Sequence, residues 1–289
     1  MDITSSTKVC AVIGDPVEHS LSPQIHNAAF RACDIDMVYV AFRIPEGHVD
    51  EAVDAVRVLG LRGLSVTIPH KVDIIPHLDD VEETTWKVGS VNTVINNNGR
   101  LKGYSTDGLG ALRALSDYQV NPAGKRVLIL GSGGAARAIA FALAGLKNEP
   151  RLRILSDVGR EAKKLALDLE SVTGVDAAAG LLNQTTLPYQ LEKADILIHA
   201  TPVGMSPAID QTLVPADLLR SDMAVFDTVY TPGETRLLRE ARQAGAKAIP
   251  GLGMFVHQAA IQFELWTQTE APVDVMTETA LEVLGDNMG

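Results

Sequence analysis

Val127-Leu128-Ile129-Leu130 is a wholly apolar run, and Gly131-Ser132-Gly133-Gly134-Ala135-Ala136 follows it directly at the start of a helical pattern. The spacing is G-x-G-x-x-A, in the context where that motif has a physical meaning: after a buried strand and before a helix. Gly131 permits the tight turn, Gly133 leaves room for a pyrophosphate to approach the backbone, and Ala136 allows close helix–strand packing. Amide groups at the helix start then face the phosphates. Gly131, Ser132, Gly133, Gly134 and Ala135 are therefore candidate cofactor-binding residues. A glycine turn without a ligand is the plain alternative, and the ordered strands around it favour the nucleotide. Asp157 ends the next strand. A carboxylate there accepts hydrogen bonds from the adenosine ribose and repels a 2′-phosphate, which favours NAD over NADP. A solvated loop aspartate is the alternative, and Arg160 keeps NADP open.

Four other stretches are dense in polar residues where strands end: Ser20-Leu21-Ser22-Pro23, Ser65-Val66-Thr67-Ile68-Pro69-His70-Lys71, Gly89-Ser90-Val91-Asn92-Thr93 and Gly103-Tyr104-Ser105-Thr106-Asp107-Gly108. Ligands of open α/β sheets bind at the carboxyl ends of strands, so these are candidate substrate loops.

Together with Asp227-Thr228-Val229-Tyr230-Thr231-Pro232 and Gly251-Leu252-Gly253-Met254-Phe255-Val256-His257-Gln258-Ala259, these stretches closely resemble the shikimate dehydrogenase family, which includes the quinate/shikimate dehydrogenases. The resemblance runs over nearly the whole chain in the right order. It implies an α/β protein of two domains. Residues 1–106, completed by C-terminal helices over 254–289, form a substrate domain with a mainly parallel sheet. Residues 107–253 form a Rossmann-type NAD(P)-binding domain. The implied activity is reversible hydride transfer between the nicotinamide and a ring hydroxyl of shikimate or quinate, with 3-dehydroshikimate or 3-dehydroquinate as the ketone partner.

By that resemblance Ser20 and Ser22 hydrogen-bond the substrate carboxylate, although Ser22 could instead cap the helix that Pro23 opens. Lys71 matches the family's catalytic lysine and Asp107 its partner. Oxidising an alcohol needs a group that takes the hydroxyl proton as hydride leaves. Desolvation lowers a lysine pKa while a nearby carboxylate favours the charged form, so Lys71 is read as base, proton relay or positioner of the reacting oxygen. Thr67, Asn92, Tyr230 and Gln258 match substrate-contacting positions, and amides suit ring hydroxyls because they both donate and accept. Gly251 matches the nicotinamide pocket, and Thr201, in Thr201-Pro202-Val203-Gly204-Met205, is expected near the cofactor. His70 and His257 are read as packing or hydrogen-bonding side chains. Three departures stand out. Ser65 and Ser105 replace the family's common asparagines, which leaves the ring acid open. Ser156-Asp157-Val158-Gly159-Arg160 replaces the Asn-Arg-Thr of NADP users.

The elements that must position these residues are visible as alternation. Strands are expected over 8–13, 37–42, 63–68, 127–130, 151–156, 194–200 and 223–229. Helices are expected from Ser22, over 48–59, 135–146 and 160–172, and a hairpin at Asn96-Asn97-Asn98-Gly99. Alternating β and α units argue for parallel sheets with helices on both faces. The 289 residues suit two domains at roughly 100–200 residues each. A net charge of −11 disfavours nucleic acid and anionic membranes as partners. Cys10 lies in an apolar run and reads as a buried free thiol, and no C-x-x-C motif or Cys/His cluster suggests a metal. Residues 1–7 do not read as a signal peptide, so a cytoplasmic protein, monomer or homodimer, is expected. Two rivals remain: a relative acting on an amino- or otherwise modified ring acid, and a non-catalytic nucleotide-binding sensor. A sensor has no need to keep both Lys71 and Asp107.

Overall fold

In the computed structural model, Lys8–Gly14 (β1) is buried from Cys10 onward, which demands a strand on each edge and cover on each face. The structure describes residues 2–286. Those up to Thr106, with those from Val256 onward, form one unit, and Asp107–Phe255 form a second.

In the first unit β1 is followed by α1 (Ser22–Ala32), β2 (Met37–Arg43), α2 (Val49–Leu59), β3 (Gly63–Val66), β4 (Asp80–Val81), α3 (Glu83–Val88), β5 (Thr93–Asn97) and β6 (Arg100–Tyr104). The sheet order is β2-β1-β3-β5-β6-β4. Strands β1, β2 and β3 are parallel, β4 is parallel to β6, and β5 runs against β3 and β6. The reversal comes from the hairpin. Asn98 and Gly99 both adopt positive φ, 54° and 89°, as a two-residue turn of this class requires. Helix α2 buries Val49, Ala52, Val53 and Val56 and turns Asp50, Glu51 and Asp54 outward, then stops at left-handed Gly60.

The second unit runs α4 (Asp107–Asp117), β7 (Arg126–Leu130), α5 (Gly134–Ala144), β8 (Arg151–Ser156), α6 (Gly159–Thr173), β9 (Ala177–Leu181), α7 (Thr186–Leu191), β10 (Ile196–His199), β11 (Ala224–Asp227), α8 (Arg236–Gln243) and β12 (Lys247–Ile249). Its sheet is wholly parallel, in the order β12-β11-β10-β7-β8-β9. The chain builds outward from β7 through β9, then returns to the other side of β7. That is the doubly wound order, with its switch point between β7 and β10. Helices α9 (Gly251–Thr267) and α10 (Val273–Asp286) close the described chain, and α10 packs on α1. Of the expected C-terminal segment 254–289, residues 287–289 lie outside the described residues, as does Met1.

The first unit's core carries an aromatic cluster. The His26 ring stacks on Tyr39 with centroids 4.5 Å apart and lies beside Phe30 and Trp266. Trp266 Nε1 donates to the Val94 carbonyl at 3.0 Å, which ties α9 to β5. Cys10 is a buried free thiol whose pKa burial pushes up. Among the described residues no helix is long and apolar enough to cross a membrane.

Burial lowers the His26 pKa to about 3. The native state therefore holds this ring neutral, while the unfolded chain protonates it below its ordinary value near 6.5. Its contribution is complete above that value and is lost as pH falls toward 3. Denaturant titrations at pH 7 and pH 5 should show about 2 kcal/mol of acid loss from this group, and His26→Phe should remove that increment. An unchanged pH dependence in the variant would contradict the assignment.

Candidate functional site

At the switch point the chain leaves β7 through Gly131, whose φ is +112°. A Cβ at Gly131 would lie 2.5 Å from the Ala200 carbonyl oxygen, so only glycine fits. A Cβ at Gly133 would meet nothing within 4 Å. Helix α5 then starts at Gly134 with no side-chain cap and no acid in its first turn. Amides with the positive end of the helix dipole behind them thus border open space, and Ala136, fully buried, seats the helix on the sheet. These features fit a pyrophosphate. Gly131, Ser132, Gly133, Gly134 and Ala135 are the residues that would hold it.

The turn after β8 is acidic. Asp157 is exposed, and its Oδ1 accepts from Val158 N at 3.0 Å and from Ser156 Oγ at 3.1 Å. Ser132 Oγ donates to Ser156 Oγ at 3.0 Å and lies 3.4 Å from Glu161 Oε2. Glu161, in the first turn of α6, is thus a second carboxylate reaching the glycine turn. Glu161 carries no motif in the sequence, and only the placement of α6 brings it to the glycine turn. Arg160, between them in sequence, is exposed.

The remaining expected residues of this unit follow β10, β11 and β12. Thr201 comes two residues after His199, and its hydroxyl meets the His199 ring. Tyr230 is partly buried and stacks on Phe255 with ring centroids 4.4 Å apart. Loss of hydration pushes its phenol to about 12, so it stays a hydrogen-bond donor at neutral pH. Gly251 starts α9 hard against Thr228 and Val229. Asp107, 5 % exposed, is the first residue of α4.

The other expected residues gather at one end of the first unit's sheet. Ser20 and Ser22 follow β1, Thr67 and Lys71 follow β3, and Asn92 precedes the reversed strand β5, which brings it to the same end. The N-cap of α1 is Leu21, with no side-chain cap hydrogen bond, so Ser22 does not cap the helix; Ser20 Oγ accepts from Ser22 N at 3.3 Å. Lys71 is held by its backbone: its carbonyl accepts from Val91 N at 2.8 Å, and the preceding His70 places Nε2 2.7 Å from the Ile44 carbonyl. His70 is therefore a hydrogen-bonding core side chain. Asn92 is the hub of the cluster. Its amide donates to Thr106 Oγ1 at 2.8 Å and to Gln258 Oε1 at 3.3 Å, while its oxygen accepts from Thr106 N and Thr93 Oγ1. Gln258, on α9, is thereby oriented by Asn92.

Ser65 spends its hydroxyl within the core. Tyr39 Oη donates to its Oγ at 2.5 Å, and that Oγ donates to Gln262 Oε1 at 2.7 Å. Gln262 Nε2 continues to Thr93 Oγ1 at 3.0 Å. Ser65 and Gln262 thus support the strand that bears Asn92. Ser105 is tied through its backbone N–H to Thr85 Oγ1 at 2.9 Å. Tyr39, on β2, and Gln262, on α9, carry no motif, and only the packing of these elements against β3 brings them to Ser65.

Two family models match the chain: the shikimate dehydrogenase substrate binding domain over residues 12–94, and the shikimate 5′-dehydrogenase C-terminal domain over residues 251–281. The shikimate dehydrogenase (NADP(+)) of Methanopyrus kandleri is 44% identical, covering 98% of each chain. A shikimate dehydrogenase solved with NADP+ superposes with a TM-score of 0.91 at 39% identity, covering 98% of each chain. The Listeria monocytogenes shikimate 5-dehydrogenase, solved with shikimate and NAD, gives 0.87 at 37% identity, covering 96% of this chain and 98% of that one. The Corynebacterium glutamicum quinate dehydrogenase, solved with NAD, gives 0.87 at 31% identity over 96% and 99%.

The backbone carbonyl facing Gly131 cannot yield as a flexible side chain would. Gly131→Ala should therefore weaken reduced dinucleotide binding at least about tenfold, with strain on the order of 1–3 kcal/mol. Fluorescence titration of the variant reads this, and wild-type affinity would contradict the role given to the turn.

Proposed function

The chain belongs to the shikimate dehydrogenase family, and on that premise we propose that it reversibly oxidises a ring hydroxyl of shikimate or quinate, with NAD as its preferred hydride acceptor. The observation that carries the reading is that one chain holds both an open, uncapped helix start at a switch-point glycine turn and a strand-end cluster of Ser20, Ser22, Thr67, Lys71, Asn92 and Gln258 in its other unit. A nucleotide-binding sensor needs the first and has no use for the second.

A bound nicotinamide supplies the site that takes or returns the hydride. The chain's own residues do the rest. Lys71 accepts the hydroxyl proton during oxidation and returns it during reduction, and Asp107 is the second residue assigned to that step. Ser20 and Ser22 donate to the ring carboxylate. Thr67, Asn92, Gln258 and Tyr230 set the ring hydroxyls, with Asn92 acting partly by aiming Gln258. Thr201 and Gly251 border the nicotinamide.

The preference for NAD rests on charge. An exposed Asp157, backed by Glu161 beside Ser132, puts two carboxylates where a 2′-phosphate would add its own negative charge, and like charges at close range repel. Relatives named for NADP(+), such as those at 44% and 45% identity, stand nearer this chain than the solved structures holding NAD, at 37% and 31%, so the preference for NAD rests on the local charge alone.

Two variants test the proposal. Lys71→Ala should lower kcat by roughly 100-fold or more while leaving dinucleotide affinity intact; undiminished turnover would remove Lys71 from the proton step. Asp157→Ala should shift the ratio of kcat/KM for NAD over NADP toward NADP by about tenfold, and an unmoved ratio would remove Asp157 from cofactor choice.

A further inference from the structure

Strands β10 and β11 end on a buried hydrogen-bonded pair that the proposed chemistry leaves unused. His199 and Asp227 stand opposite each other in register, 2 % and 0 % exposed. His199 Nδ1 lies 2.8 Å from Asp227 Oδ1. A carboxylate only accepts, so Nδ1 carries a proton and donates it to Asp227. Thr201 Oγ1 lies 2.5 Å from the other ring nitrogen, Nε2. The same Oγ1 accepts from Val203 N at 3.3 Å. On the other side, Asp227 Oδ1 also accepts from Val229 N at 3.1 Å, and Oδ2 accepts from Thr235 Oγ1 at 2.6 Å. Thr235 is the N-cap of α8 and accepts from Leu238 N. The hydrogen bonds therefore form one continuous chain, from the loop after β10 through His199 to a carboxylate anchored in β11.

The residues next to this pair are the ones that touch the glycine positions. Ala200 and Thr201 close on Gly131: a Cβ there would meet the Ala200 oxygen at 2.5 Å and Thr201 Cγ2 at 3.2 Å. Thr228 and Val229 close on Gly251, where a Cβ would meet their carbonyl oxygens at 2.5 and 2.7 Å. A shift of either strand end would move one of these walls.

We infer that His199 is a positioning residue for the dinucleotide: it couples Thr201 to the fixed Asp227 carboxylate and so holds the loop over 201–204 at the second wall of the switch point. A core hydrogen-bonded pair of purely structural value would stabilise the sheet and leave dinucleotide binding alone. The inference rests on the dinucleotide reading and is independent of the choice between NAD and NADP.

The test is a double-mutant cycle on the full-length protein, with NADH and NADPH titrated by fluorescence against wild type, His199→Asn, Thr201→Val and the pair. Thermal midpoints are recorded alongside. Each single variant should weaken binding of the better reduced cofactor about tenfold, the scale of one buried hydrogen bond. Because His199 acts through Thr201, the double variant should bind no more weakly than the singles, whatever the midpoints do. Wild-type affinity in His199→Asn overturns the inference even if its midpoint falls. So does a double variant whose loss is the product of the two single losses. Wild-type protein that binds neither reduced cofactor overturns the dinucleotide reading itself and the inference with it.

Discussion

The contact between the Gly131 backbone and the Ala200 carbonyl is the constraint on which the cofactor unit depends. A parallel sheet wound in two directions from a central strand opens a crevice where its halves part, between β7 and β10. The chain leaving β7 must turn sharply there, at φ +112° and with no room for a Cβ. Once that turn is made, α5 begins with its amides directed at the crevice, and the acidic turn after β8 is set beside it through Ser132 and Ser156. A small geometric demand at one residue thereby fixes where the helix amides open and which carboxylates stand beside them.

The first unit solves a related problem with polar bonds. Its parallel strands β1 and β3 end where Ser20, Thr67 and Lys71 follow, but Asn92 reaches that end only because β5 runs in reverse. The reversal leaves buried amides and hydroxyls that need partners. Asn92, Thr93, Ser65, Tyr39, Gln258 and Gln262 satisfy one another. The network locks α9 onto β3 and β5, and the outermost amide, Gln258, inherits its orientation from the buried ones. A buried network of this kind is rigid when complete and costly when one member is lost.

Much of this architecture was legible in the residues. Wholly apolar runs such as Val127–Leu130 cannot be anything but interior, and Asn98-Gly99 announced its hairpin through the conformations that only such residues adopt readily. The glycine spacing after β7 gave the turn its meaning. Strand β9, Ala177–Leu181, was not legible, because alanine and glycine have weak strand preference and pairing with β8 alone specifies it. Strand β4 has two residues and no period to read. The His199–Asp227 pair escaped because a single histidine after Ile196-Leu197-Ile198 carries no motif, and its partner is brought beside it only by the β10–β11 register. The direction of the Ser65 side chain was not legible either, because its place in a motif says nothing about which way it turns; Tyr39 and Gln262 hold it.

The account's central claim is that this chain joins a dinucleotide at the Gly131 turn to the oxidation of a hydroxylated ring acid. Steady-state turnover by the wild-type protein, with shikimate and with quinate, each under NAD and under NADP, tests it most directly. The account predicts reduction of the nicotinamide that depends on the ring acid, with kcat/KM higher for NAD. No turnover of either acid with either cofactor would contradict the claim, and a clear preference for NADP would contradict its reading of Asp157.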